Sequence, residues 1–247
     1  MKKCLPYANY LAAGAGVAAA LLRFWMLGAG LDEKGLYPAA HPGWIGYLLV
    51  IVAALIGIFL MTRQCQGCGT WSPNFPTGIF SMAGHVAAAG GIFFYSLPQL
   101  QAADRLILAG GVLGMVAAAT LLALTIPQLR QKPQCGAAYL LPCLFCAMQL
   151  FLMAKTYSTE TQSLLFLPQV FAFAASTLAC YQMAGFGVAL GNRRRSLFWS
   201  LSAGVLCLAA APGNHWGFAA LGLWHLLSHC VLEDPTQVTE EPTETDQ

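Results

Sequence analysis

Charge is what this sequence lacks most. Only 9% of its 247 residues are Asp, Glu, Lys or Arg, against 57% hydrophobic, where a soluble domain carries about 25% charge. Water is therefore excluded as the main solvent. Acids are scarcer still in the body of the chain, because Glu233, Asp234, Glu240, Glu241, Glu244 and Asp246 all stand in the terminal stretch 233–247, so the formal charge of +2 hides a basic membrane part. A disulfide framework is also missing. The nine cysteines are an odd number, and Cys143, Cys146, Cys180 and Cys207 lie in apolar runs, where cysteine behaves as a small hydrophobe. Met1-Lys2-Lys3 before an Ala-rich run resembles a secretory signal, but Arg23 interrupts it and no cleavage site follows, so it reads as a retained first helix. Finally, no basic surface for nucleic acid stands out, since Lys and Arg in membrane-protein loops report orientation; no nucleic-acid partner is expected.

What is present is apolar sequence in runs of about 20 residues, the length that spans a bilayer. Bounded by charge, Pro and Gly, these runs predict helices over 8–31, 44–62, 77–98, 105–126, 137–155, 164–190, 196–212 and 216–232. The expected fold class is all-α, a polytopic membrane helix bundle of about eight transmembrane helices, with seven as the alternative because the last two are short and separated only by Gly213, Asn214 and His215. Residues 1–232 form the transmembrane domain, and 233–247 an acidic, disordered tail. The lipid bilayer is then the main partner. Lys2, Lys3, Arg63, Arg130, Lys132, Arg193, Arg194 and Arg195 fall on one side, and Lys34, Arg105 and Lys155 on the other, which places the N-terminus in the cytoplasm of a cell membrane. Gly110/Gly114, Gly187/Gly191 and the stripe Ala12, Gly16, Ala20 have the spacing of close helix contacts.

Several residues are candidates for chemistry. Arg23 lies inside a predicted span, where an ionisable group is costly; it either snorkels or pairs with Asp32 and Glu33 of the next loop, or contacts a ligand at the outer mouth with them. The run Leu22-Arg23-Phe24-Trp25, Gly30, Asp32-Glu33-Lys34-Gly35-Leu36 and His41-Pro42 resembles a group of uncharacterised multi-pass membrane proteins of anaerobic Gram-positive bacteria, a group that implies location and no activity. Cys65-Gln66-Gly67-Cys68 is half a zinc knuckle, which Cys4 and Cys135 on the same expected side could complete. Pro98-Gln99, Pro127-Gln128 and Pro168-Gln169 resemble the pairs of PQ-loop transporters, without that family's internal repeat. Gln149 and Gln182 are amides within spans, suited to hydrogen bonding between helices.

The histidines form the sharpest pattern. His225-x-x-x-His229 puts two imidazoles on one helix face, and Ser81-x-x-x-His85 adds a third ring with an i, i+4 partner. This set resembles the superfamily of alkaline ceramidases and adiponectin-type receptors, intramembrane zinc hydrolases. The resemblance implies that His85, His225 and His229 bind zinc, with Ser81 nearby, for attack on a lipid amide. The family's acid has no match in Asp104, which is about 28 Å along a helix from His85. The leading functional expectation is small-solute transport or sensing by a cavity containing Arg23, Gln149 and Gln182; the alternative is the zinc hydrolase. A third reading is a structural partner of another membrane protein.

Overall fold

The computed structural model describes residues 4–28, 42–63, 78–129, 135–157, 163–188, 190–213 and 216–228. Every regular element among them is helical: α1 (Cys4–Gly28), α2 (Pro42–Thr62), α3 (Ile79–Ser96), α4 (Arg105–Leu129), α5 (Leu140–Tyr157), α6 (Ser163–Phe186), α7 (Arg193–Ala210) and α8 (Gly217–Leu227), with 3-10 turns at Pro98–Gln101 and Gly136–Tyr139. Local chemistry sets the ends. Pro42 opens α2, a position where its missing N–H costs nothing. Pro98 has no N–H to continue the α-helical ladder, so α3 closes at Ser96 with Leu97 still helical and the chain continues as a 3-10 turn. The Asn192 side chain caps α7 by accepting from the Arg195 amide at 3.2 Å. Beyond α7, Gly213 adopts φ 74°, a conformation that a side chain would strain.

Three boundaries depart most from expectation: α1 begins at Cys4 and not at 8, α8 ends at Leu227 and not at 232, and α6 stops short of 190. The helix expected over 164–190 ends at Phe186, because Gly187 backs onto Gly136 so closely that a Cβ on either would strike the other's backbone. The chain turns there, with the Leu190 amide bonded back to the Gly185 carbonyl at 3.0 Å. Gly187 lies in the turn and Gly191 in the connection to α7, so their GxxxG spacing is not a helix–helix motif.

The outer surface is apolar. Leu21, Phe24 and Trp25 of α1, Ile45 and Leu49 of α2, Phe94 of α3, Phe151 of α5 and Phe171 of α6 are all exposed. A sheath of this kind is a liability in water and the natural outside of a lipid-embedded bundle. Five helical stretches, Tyr7–Gly28, Pro42–Thr62, Ile79–Gln101, Arg105–Pro127 and Gly136–Thr156, are long and apolar enough to cross a membrane. The chain is thus a transmembrane helical bundle in which α6, α7 and α8 fall outside that group of five.

Packing explains α7. Helices α3 to α8 touch in succession and α8 closes on α3, making a ring of six, while α1 and α2 pair with each other and lie against α7. Helix α7 therefore touches α1, α2, α6 and α8. Its many Ser, Ala and Gly residues make it a poor lipid-facing helix and a good central one, since small side chains let neighbouring backbones approach. Gly204 of α7 lies under Leu226 of α8, and Gly16 of α1 under Leu208 of α7. Across the ring, Gly91 of α3 meets Gly217 and Ala220 of α8, and Gly114 of α4 meets Ser96 of α3. We call the end of the bundle where α1 begins proximal and the opposite end distal.

Candidate functional site

Inside the ring, large aromatics fill the space between helices. Tyr95, Phe145, Phe173 and Phe218 meet with centroid separations of 4.9–6.3 Å. They border a cavity of about 10 Å³, lined also by Gly91 and Leu221, enough for one water-sized sphere. Toward the proximal side the interior becomes polar.

His85, projecting from α3, sits at the centre of this polar layer. Its Nδ1 lies 2.7 Å from the Ser81 carbonyl oxygen and its Nε2 lies 2.7 Å from the Tyr139 hydroxyl. A carbonyl only accepts, so Nδ1 carries the proton, and Nε2 of the neutral ring accepts from Tyr139. Tyr139 comes from the turn before α5 and stacks in parallel on Trp224 of α8, centroids 6.2 Å apart. Trp224 also meets the His85 ring edge-on at 5.8 Å and its own neighbour His225 at 4.6 Å. On the far side, His225 Nε2 is 3.2 Å from Ser176 Oγ of α6, which is 3.3 Å from Cys207 Sγ of α7. Six side chains from α3, the α5 turn, α6, α7 and α8 thus form one continuous buried layer. Trp224 is entirely buried and its indole N–H has no acceptor among the described residues.

The layer owes its shape to small residues. At Gly84, one residue before His85, a Cβ would meet the Trp224 Cα at 3.3 Å and its indole edge at 3.4 Å, so a side chain there would push α8 and Trp224 away from α3.

The other expected site residues are scattered. Arg23 is buried at 3% exposure, with Nε donating to the Pro212 carbonyl at 3.1 Å and a further hydrogen bond to the Tyr47 hydroxyl. Tyr47 in turn reaches the Ala209 carbonyl at 3.4 Å. The guanidinium does not snorkel outward. It is turned into the bundle, where it closes the C-terminal end of α7, whose carbonyls carry partial negative charge. Asp32 and Glu33, its expected partners, lie outside the described residues, as does the Cys65/Cys68 knuckle.

Gln149 is likewise committed to the protein. It exchanges both amide hydrogen bonds with Gln99, at 2.9 and 3.0 Å, beside Gly110 of α4. Gln182 is half-buried on α6 near that helix's proximal end. Among the described residues no cavity joins Arg23, Gln149 and Gln182; Arg23 is bonded to the end of α7 and Gln149 to Gln99. Asp104 forms an ion pair with Lys155 at 2.7 Å at the distal end, and that hydrogen-bonded ammonium holds its carboxyl below the usual carboxylate range.

His85 donates Nδ1–H to a backbone carbonyl, the arrangement that orients a metal-binding imidazole. Its Nε2, however, points at Tyr139, and His225 Nε2 points at Ser176. The two rings flank Trp224 and do not share a point. His229 lies outside the described residues, and among the described residues no three His, Cys, Asp or Glu side chains are grouped to hold a metal. As arranged, the described donors do not fit zinc.

No family model, curated protein or solved structure matches this chain. The site is therefore interpreted from its own chemistry. Sequence reasoning located His85 and His225 but missed Tyr139, Ser176 and Cys207 as their partners. These three stand in apolar runs at no fixed spacing from either histidine, so nothing in the one-dimensional pattern points to them.

Proposed function

We propose that the protein handles a small solute within the membrane, as a transporter or sensor, and that the His85–Tyr139–Trp224–His225–Ser176–Cys207 layer is where solute or proton is met. The observation that carries this reading is the continuity of the layer across five elements of a closed ring. Imidazoles inside a membrane bundle are costly and are functional hypotheses by default. Packing alone would be met more cheaply by Phe and Leu. Hydrogen-bonded His, Tyr and Ser can pass a proton or hold a polar solute without exposing charge to lipid.

The orientation that the Lys/Arg distribution favours sets the proximal end toward the cytoplasm of a bacterial cell membrane. The layer would then be closer to the cytoplasmic face. Reconstitution in vesicles with a trapped pH-sensitive dye tests the function. A panel of amino acids, sugars and organic acids should include at least one that changes the signal, and His85→Phe or His225→Phe should abolish the response. A panel with no response above protein-free vesicles, or a response that both variants retain, removes the reading.

A zinc-dependent hydrolase acting on a lipid amide is the second reading, supported by the spacing of His85, His225 and His229 in the sequence and opposed by the present commitment of both Nε2 atoms to hydroxyls. It requires the side chains to rearrange around His85, His225 and His229. Metal content decides it: less than stoichiometric zinc in purified protein, or zinc unchanged in a His225→Ala, His229→Ala variant, eliminates the hydrolase.

A further inference from the structure

The interior of the six-helix ring is layered along its axis, with the cavity bordered by Tyr95, Phe145, Phe173 and Phe218 in the middle. On the proximal side, Ser176 follows Phe173 by three residues on α6, and Trp224 and His225 follow Leu221 by three and four on α8. That is a rise of about 5–6 Å, so the histidine layer adjoins the rings. On the distal side, Ser96 is next to Tyr95, Gln99 follows Tyr95 by four residues, and Gln149 follows Phe145 by four on α5. Gly110 and Gly114 of α4 give these side chains room. A Cβ at Gly114 would overlap the Ser96 hydroxyl and the Phe145 ring, and one at Gly110 would meet the carboxamides of Gln99 and Gln149.

The distal layer has spare hydrogen-bonding capacity. The Gln99–Gln149 exchange uses one N–H and one carbonyl lone pair of each side chain, and a carboxamide has two of both. Ser96 is fully buried and its hydroxyl has no partner among the described residues, a costly condition for a residue that only packs. Gln99 is half-buried in the 3-10 turn at the distal end, so the layer reaches the surface there. The middle layer is the reverse. Its walls of rings and aliphatic side chains leave a water few of the about two to four polar partners it needs. Charge is absent from all three layers: among the described residues no carboxylate is buried, and the buried cations Arg23 and Arg193 stand at opposite ends of α7. An ion crossing the dry middle would lose its hydration with no polar group to replace it, whereas a small neutral molecule gives up a few hydrogen bonds and recovers them in the next layer.

We propose that Ser96, Gln99 and Gln149 form a distal binding station for an uncharged hydrogen-bonding molecule of a few heavy atoms, and that the aromatic box is the closed gate between this station and the histidine layer. The axis of the ring is then the path of the solute. Hydrophobic constrictions close by excluding water, and this one separates two polar layers that can each hold the same neutral guest. The path rests on the reading that the protein handles a small solute, and it fixes the class of that solute.

Stopped-flow measurements on vesicles containing the full chain test it, with ammonia read by a trapped pH-sensitive dye and urea and glycerol read by light scattering. At least one of the three should enter faster than into protein-free vesicles, and none should carry current across a planar bilayer. Ser96→Ala removes no internal hydrogen bond, so it should keep the thermal midpoint of the unaltered protein while slowing entry about fivefold or more. Phe173→Ala should open the box and speed entry about fivefold or more; should it fail to fold, Phe218→Ala takes its place. Ser96→Ala at the unaltered rate, box variants without effect, entry of none of the three, or ammonium carried as a current each overturns the proposal. Slowing by His85→Phe alone removes the path and keeps the histidine layer as a site. The expected effects of Ser96→Ala and Phe173→Ala, with none from His85→Phe, keep the path and remove the histidine layer from it.

Discussion

Arg23 shows how a single residue can be located while its partners are not. Its cost inside a span was legible, but among the described residues it bonds to the Pro212 carbonyl, far along the chain, and to Tyr47 of α2. A hydrogen bond involving a charged group contributes about 1.5–3 kcal/mol, so Arg23→Gln should lower stability by about that amount and Arg23→Lys by less. Reversible unfolding in mixed micelles measures both; an unchanged Arg23→Gln midpoint would mean that α7 does not need this cation. His85 makes a similar demand on its neighbour. His85→Phe leaves the Tyr139 hydroxyl buried and without its acceptor, which should cost about 1–3 kcal/mol, and adding Tyr139→Phe should recover part of the loss. A double-mutant cycle with no coupling between the two would refute the hydrogen bond. At Asp104 the sign is fixed by Lys155: the folded-state carboxyl titrates low, so its contribution is present above the ordinary carboxylate value of about 4 and is lost as pH falls through the lower folded value. The residue is exposed, so the contribution is small. Its NMR titration midpoint should rise in Lys155→Ala.

Helix–helix contact in this chain depends on which glycine is struck by a neighbour, and the sequence does not mark the difference. Gly90 and Gly91 are adjacent in α3, yet a Cβ on Gly90 meets nothing within 4 Å, while one on Gly91 runs into Ala220 and the Gly217 backbone of α8. Gly91→Ala should therefore destabilise by about 1–3 kcal/mol through overpacking. Gly90→Ala should be neutral or stabilise by about 0.5–1 kcal/mol through helix propensity. Equal effects from the two substitutions would contradict the close α3–α8 approach. Gly110 and Gly114 do lie at real interfaces, against Leu152 and Ser96, whereas Gly187 and Gly191 share their spacing without being helical. Spacing records opportunity for contact. The facing backbone decides whether it is taken.

At the scale of the molecule, the ring of six helices and the central position of α7 organise everything else. If the proximal end faces the cytoplasm as we propose, a variant retaining only Cys135, which is exposed at that end, should react with a membrane-impermeant maleimide in inside-out vesicles and not in intact cells. Labelling from outside would reverse the orientation. The amino-acid sequence by itself determined the class of the protein, because scarce charge and recurrent apolar runs leave lipid as the only consistent solvent. It also located the helices and, within a few residues, most of their ends while leaving seven or eight open, because Pro, Gly and polar caps act over a few residues. Tertiary structure alone decided the rest. It put Arg23 on the end of α7, separated Gln149 from Gln182, and inserted Trp224 between His85 and His225. It also made the most polar helix the most buried one. These outcomes depend on partners distant in the chain, and lipid, which offers apolar side chains no preference for one another, leaves no hydrophobic pattern from which those partners could be read.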